Sequence, residues 1–249
     1  MIKKSAVIFI VGTAFMFSPV GQLYAEEQAL LTLGCMLAPS EKVLVSSPVT
    51  GVLDKVMVKR GDRVKKGNTL FELKAGVERE GVQLARVRAG FAERKAQRNQ
   101  DLYDENILTA FERDEIETDL LIAKSELRLK QQELALRQVL SPINGVVVNR
   151  FNSEGEYVNI DPILSLATLD PLHVDLLLPA RYFGEIAVNQ ALLIKPELDK
   201  IDARRAKVII VDPLIDSASS TFRVQLLMTN PGNEIPAGIR CSAQIMNQP

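Results

Sequence analysis

The sequence predicts an α+β chain of several domains, in which two long helices interrupt a small duplicated β unit and a run of short strands follows. Three observations carry this expectation. Residues 77–139 contain no proline, are dense in Glu, Lys, Arg, Leu and Ala, and break once, at Asn106-Ile107-Leu108-Thr109. Ser47-Pro48-Val49-Thr50-Gly51-Val52 before that stretch and Ser141-Pro142-Ile143-Asn144-Gly145-Val146 after it read as copies of one another. From Pro171 onward, apolar and polar residues alternate in short blocks separated by turn residues.

Composition narrows the classes of function. With 30 basic against 31 acidic residues, nothing calls for nucleic acid or an acidic lipid surface as a general partner. The chain has no Trp and few aromatics, which argues against a carbohydrate or base-stacking platform. One His and two Cys cannot build a His/Cys metal site of the usual kind. The N-terminus has the layout of an export signal: Lys3-Lys4, an apolar run over 6–17, a break at Ser18-Pro19, and Ala25 before Glu26-Glu27. Residues 1–25 are therefore expected to be a signal peptide. An uncleaved anchor is the alternative, although a spanning helix needs about 20 apolar residues. The mature chain is expected outside the cytoplasm, where disulfides persist.

Beyond the signal, residues 29–37 are expected as a strand, Ala38-Pro39-Ser40 as a break, and residues 42–46 as a second strand. The two copies then start at Ser47 and, 94 positions later, at Ser141. Their register holds without a gap: Gly51 matches Gly145, Gly61 matches Gly155, Val64 matches Val158 and Leu70 matches Leu164. Asp62 matches Glu156, so each half carries a Gly-acid turn at one distance from its start. Glycine at such a turn supplies positive φ at little cost. Five aligned positions point to a duplicated β unit.

Within the helical stretch, Leu120, Leu127 and Leu134 recur at seven, with Ile116 and Ala123 at the alternate seam positions. This stripe is expected to pack on the first helix through Leu84, Val87 and Phe91. A second set, Ile122, Leu129 and Leu136, lies about 200° further round the helix. A two-helix hairpin cannot bury both sets. The second either rests on the β domain or packs against another copy. Glu112, Asp114, Glu115, Glu117 and Asp119 crowd the start of the second helix, where the dipole favours anions.

The repeated Ser-Pro-x-x-Gly-x-Val, followed in the first copy by Val-x-x-Gly-Asp-x-Val-x-x-Gly-x-x-Leu, resembles the biotinyl/lipoyl domain, a flattened sandwich of two interlocked halves. Carriers of that kind join the halves by a turn bearing a modifiable Lys. Here Phe71-Glu72-Leu73-Lys74-Ala75 stands at that exit without a Met-Lys-Met or Asp-Lys-Ala triplet, and helices replace the turn. Lys74 is expected to be an ordinary surface lysine, and no cofactor is expected. A lipoyl-like domain split by a helical hairpin is similar to the periplasmic adaptor, or membrane fusion protein, family of tripartite efflux and secretion systems. The resemblance continues through Asp170-Pro171-Leu172-His173-Val174, Asp212-Pro213-Leu214 and Asn230-Pro231-Gly232, which in that family belong to a small β-barrel.

The fold so implied is elongated and multidomain: a lipoyl-like β-sandwich split by an α-helical hairpin, followed by a small β-barrel. Its expected parts are residues 1–25 as signal peptide and 26–42 as an N-terminal strand joining the barrel. Residues 43–74 form the first half of the lipoyl-like domain, 75–139 the hairpin, 140–169 the second half and 170–249 the barrel. Residues 180–188 are expected as a short helix. Larger members continue past the barrel into a membrane-proximal domain, which in this chain is expected to be absent or replaced by N-terminal residues.

The same resemblance implies a non-enzymatic adaptor in the periplasm, peripherally associated with the inner membrane. Its expected partners are an inner-membrane transporter, proton-driven or of the ABC type, a TolC-type outer-membrane channel, and further copies of itself in a ring, a hexamer. At the bend, Arg98, Leu102 and Thr109 follow Arg-x3-Leu-x6-Thr, similar to an Arg-Leu-Ser set with which members of this family meet the channel. Each also has a plain structural role open to it: Arg98 as a solvated residue, Leu102 as hairpin core, and Thr109 as an N-cap with Glu112 three positions on. Cys35 and Cys241 fall in predicted strands that are terminal neighbours in this architecture, so a disulfide between them is a candidate. The alternatives from other classes are a lipoyl-like or biotin-like carrier or accessory domain of an enzyme complex, and a monomeric periplasmic binding module.

Overall fold

A computed structural model describes residues 32–105 and 107–245. The expected signal peptide lies outside the described residues. Strand β1 (Thr32–Ser46) leads into β2 (Gly51–Val56), β3 (Arg63–Val64) and β4 (Thr69–Leu73). Helices α1 (Gly76–Asp104) and α2 (Ala110–Ala135) follow, then β5 (Gln138–Leu140), β6 (Gly145–Arg150), β7 (Tyr157–Val158) and β8 (Pro162–Pro179). Four further strands are β9 (Ala191–Pro196), β10 (Arg204–Val211), β11 (Thr221–Met228) and β12 (Arg240–Ile245).

The duplication is visible atom by atom in the sandwich. Each half pairs with the other half: Gly51 of β2 lies opposite Val158 of β7, and Gly145 of β6 lies opposite Val64 of β3. The amide of Gly61 donates to the Val147 carbonyl at 2.8 Å, and that of Gly155 donates to the Leu53 carbonyl at 2.8 Å. These are the same bond in the two copies, with partners exchanged. Gly61 and Gly155 take φ values of 94° and 87°, the left-handed region that favours glycine. Leu53, Val64, Leu70, Val147, Val158 and Leu164 meet in the core between the halves.

A second core fills a closed barrel in which β1, β12, β9, β10, β11 and β8 pair in turn and β8 returns to β1. Alternate residues of β8 and β11 point inward, so Leu172, Val174 and Leu176 meet Phe222, Val224 and Leu226. Asn230 is fully buried where the barrel adjoins the sandwich. Its Nδ2 donates to the carbonyls of Leu169 and Ile235, both at 2.8 Å, which satisfies a polar group that would otherwise be costly to bury.

Four local expectations are corrected. The break at Ala38-Pro39-Ser40 does not divide β1, which runs unbroken from barrel to sandwich; the proline is absorbed by a register shift between Pro39 and Glu41. Likewise β8 passes straight through the expected boundary at residues 169 and 170, pairing with β1 on both sides of it. Residues 180–188 hold only a 3-10 turn at Ala180–Tyr182, too short to count as a helix. At the other end of the hairpin α2 stops at Ala135, and residues 138–140 already belong to the sandwich as β5, paired with β4.

Candidate functional site

The two helices between the sandwich halves form an antiparallel pair, and their contact is built from small side chains. Val82, Ala85, Ala89 and Ala92 are the buried residues of α1, spaced three and four apart as a seam requires. Opposite them α2 presents Ile116, Leu120, Ala123, Leu127 and Leu134, all half-buried. The stripe expected on α2 is therefore the one that packs, but its expected partners on α1 are not. Leu84, Val87 and Phe91 are 55%, 57% and 58% exposed. Alanine admits the leucines of α2 to close range, and the larger side chains are left on the far side of α1. Three ion pairs span the helices: Arg88 with Glu126 at 2.9 Å, Lys95 with Asp119 at 3.1 Å and Lys124 with Glu93 at 2.7 Å. The hydrogen bond and charge of Lys124 hold the Glu93 carboxyl below its ordinary range. Exposed pairs of this kind add little stability singly, and here they reinforce one register.

Both helices carry an uncovered apolar stripe. Ile122 and Leu129 are 62% and 57% exposed on α2, and Leu136 continues the row. On α1 the row is Val77, Leu84, Val87 and Phe91. Neither row rests on the sandwich. Among the described residues, no helix is long and apolar enough to cross a membrane.

At the bend, Arg98 and Leu102 stand four residues apart on α1, one turn of the helix, and both side chains are exposed. Thr109 caps α2. Its Oγ1 accepts from the Glu112 amide at 3.2 Å, and the Thr109 amide donates to Glu112 Oε2 at 2.9 Å, which completes a capping box. The backbone and side-chain hydrogen bonds from Thr109 lower the Glu112 carboxyl below its usual range. Thr109 thus has an internal task, whereas Arg98 makes no ion pair among the described residues. Tyr103 and Arg113 close the bend from the two helices, with the guanidinium carbon 4.5 Å from the ring centroid.

The base of the hairpin holds a feature that spacing alone did not reveal. Arg137 follows α2, and its Nη2 lies 2.7 Å from Glu78 Oε1 in the first turn of α1. Its Nη1 donates to the Thr50 carbonyl at 2.9 Å, and its own carbonyl accepts from Leu73 at 2.8 Å. One residue thereby joins the foot of each helix to the entrance of β2. At 22% and 18% exposure, Arg137 and Glu78 form the least solvated ion pair among the described residues, so screening weakens it least. Arg137→Met is expected to cost about 2 kcal/mol. Its signature is faster amide exchange in residues 76–82 and 130–137, with the barrel unaffected, read by hydrogen–deuterium exchange.

Lys74 is exposed in the short link from β4 to α1, away from any turn joining the two halves directly. Cys35 and Cys241 are Cα partners on β1 and β12, 4.9 Å apart, and are joined as a disulfide.

The profile of the CzcB-like, barrel-sandwich hybrid domain matches residues 41–167, which hold the sandwich and the hairpin. The multidrug/solvent efflux pump periplasmic linker protein MepA of Pseudomonas putida is 28% identical over 220 residues, covering 81% of this chain and 56% of its own length. The multidrug resistance protein MexA of Pseudomonas aeruginosa is 23% identical over 217 residues, covering 81% and 57%. The chain spans about half the length of the curated relatives it matches. Among solved structures, a MacA–MexA chimeric protein containing the Pseudomonas aeruginosa MexA α-hairpin domain superposes with a TM-score of 0.75 at 21% identity. That match covers 88% of this chain and 79% of the other, and shows a shared fold.

Proposed function

The chain belongs to the CzcB-like barrel-sandwich hybrid family, and from that membership we propose that it acts as a periplasmic adaptor, a membrane fusion protein of an efflux system. Its hairpin reaches a TolC-type outer-membrane channel, its barrel end serves an inner-membrane transporter, and copies stand side by side in a hexameric ring around a conduit. The mechanism is mechanical bridging, with binding free energy at both ends and no bond made or broken. The observation that carries this reading is the hairpin itself: a paired-helix spike with a solvated tip and an uncovered apolar stripe on each helix. A lone soluble chain gains nothing from such stripes, whereas lateral neighbours would cover both. The relatives named as efflux pump periplasmic linkers support the same role.

At the tip, the guanidinium of Arg98 offers a planar fork to carbonyls or carboxylates of a channel, and Leu102 offers an apolar knob beside it. Arg98→Asp and Leu102→Ser are each expected to abolish export, read as resistance to a panel of antibiotics and solvents. Circular dichroism should show unchanged helix content, because neither side chain supports the helix seam. Wild-type resistance in both variants would remove the channel contact from this reading.

A further inference from the structure

The two halves of the sandwich share one backbone and carry opposite charge. In the first half, the turns around β3 expose Lys59, Arg60, Arg63, Lys65 and Lys66. At the matching positions 94 residues on, the second half has Ser153, Glu154, Tyr157, Asn159 and Ile160, and Gly67 is matched by Asp161. Glu154, Glu156 and Asp161 give that side three exposed carboxylates. Among the described residues, none of these cations or carboxylates forms a salt bridge within the chain. The two turns border different sheets: β3 ends the larger and β7 ends the smaller. A pseudo-two-fold domain with a basic edge and an acidic edge is built for head-to-tail contact, the kind that closes into rings or runs on as filaments.

We propose that the basic turn of one copy docks on the acidic turn of the next, with Lys65 and Lys66 meeting Glu156 and Asp161. Apolar chemistry matches as well. Tyr157 and Ile160 are 68% and 81% exposed beside the carboxylates, and the aliphatic stems of lysine cover such surface while their heads reach the acids. Arg60 adds a guanidinium able to lie on the Tyr157 ring. Arg63 is held back, because its Nη2 donates to the Gly232 carbonyl of its own chain. The contact rests on the ring reading above and gives that ring its direction: every copy presents the same two unlike edges, so pairing is basic to acidic throughout.

Charge exchange tests it. The variant Lys65→Glu/Lys66→Glu places acid at the contact positions of both edges, and Glu156→Lys/Asp161→Lys places base at both. Each alone is expected to lose at least about tenfold in self-association, since like charges face one another across the interface. An equimolar mixture is expected to assemble again, in strict alternation, as read by native mass spectrometry. Zero-length carbodiimide coupling of mixed light and heavy-nitrogen wild-type chains should join Lys65 or Lys66 to Glu156 or Asp161 between copies, less at high salt. A mixture that stays apart, or a single variant that assembles like wild type, overturns the contact. So does wild-type coupling confined to the hairpins, which leaves the ring standing. Wild-type chains that give no inter-chain product overturn ring and contact together. Binding of the basic turn to anionic vesicles without inter-chain coupling assigns it to lipid and overturns the contact.

Discussion

Gly145→Ala is expected to lower the stability of the sandwich by about 3 kcal/mol, the upper range for forcing volume into a packed site. A Cβ at this position would stand 2.4 Å from the Ala167 carbonyl oxygen and 2.9 Å from its carbon. Those atoms are backbone, held between β6 and β8 by ladder pairing, and cannot rotate away. The repeat supplies the control. Gly51 occupies the same place in the first half, yet a Cβ there meets Arg137 Nη1 at 2.7 Å, the far end of a flexible side chain. Gly51→Ala is therefore expected to cost less than Gly145→Ala and to act by displacing the guanidinium that holds the hairpin foot. Thermal unfolding of the two variants checks the ranking, and equal melting temperatures would contradict it.

Loss of the Cys35–Cys241 bridge is expected to cost about 2–5 kcal/mol of unfolding free energy, because the bond closes a loop with a sequence separation of 206. Both residues are buried in the barrel wall, at 8% and 1% exposure, so serine or free thiols keep the native packing and the effect falls mainly on the unfolded chain. The Cys35→Ser/Cys241→Ser variant should melt lower than wild type purified from an oxidising compartment, and should match wild type held in reductant. Two free thiols in native, non-reduced protein, with reductant leaving the melting temperature unchanged, would show that the bridge does not form.

What the sequence disclosed depended on how local the physics was. The duplication was plain because each copy needs its glycine and its Gly-acid turn at one spacing, and backbone geometry allows few substitutes. The helical insert was plain for a similar reason, since propensity accumulates over 60 residues without a proline. The seam on α1 was misjudged because Leu84, Val87 and Phe91 look more apolar than Val82, Ala85, Ala89 and Ala92. The three-four spacing of the alanines was present, but alanine also serves as a mere helix former. The continuity of β1 and β8 was hidden by prolines that usually end strands and here fall at a register shift or within an uninterrupted strand. At the site, Arg98, Leu102 and the Thr109 cap were readable from spacing within one bend. The clasp between Arg137 and Glu78 was not, because its partners are far apart in sequence and meet only once the sandwich has closed.

Because β1 and β8 belong to barrel and sandwich alike, no slack tether separates the two bodies. Twisting the barrel then turns the neighbouring sheet through two continuous strands rather than through a swivel. Any movement begun at one end would then travel to the other as the tilt of a single beam.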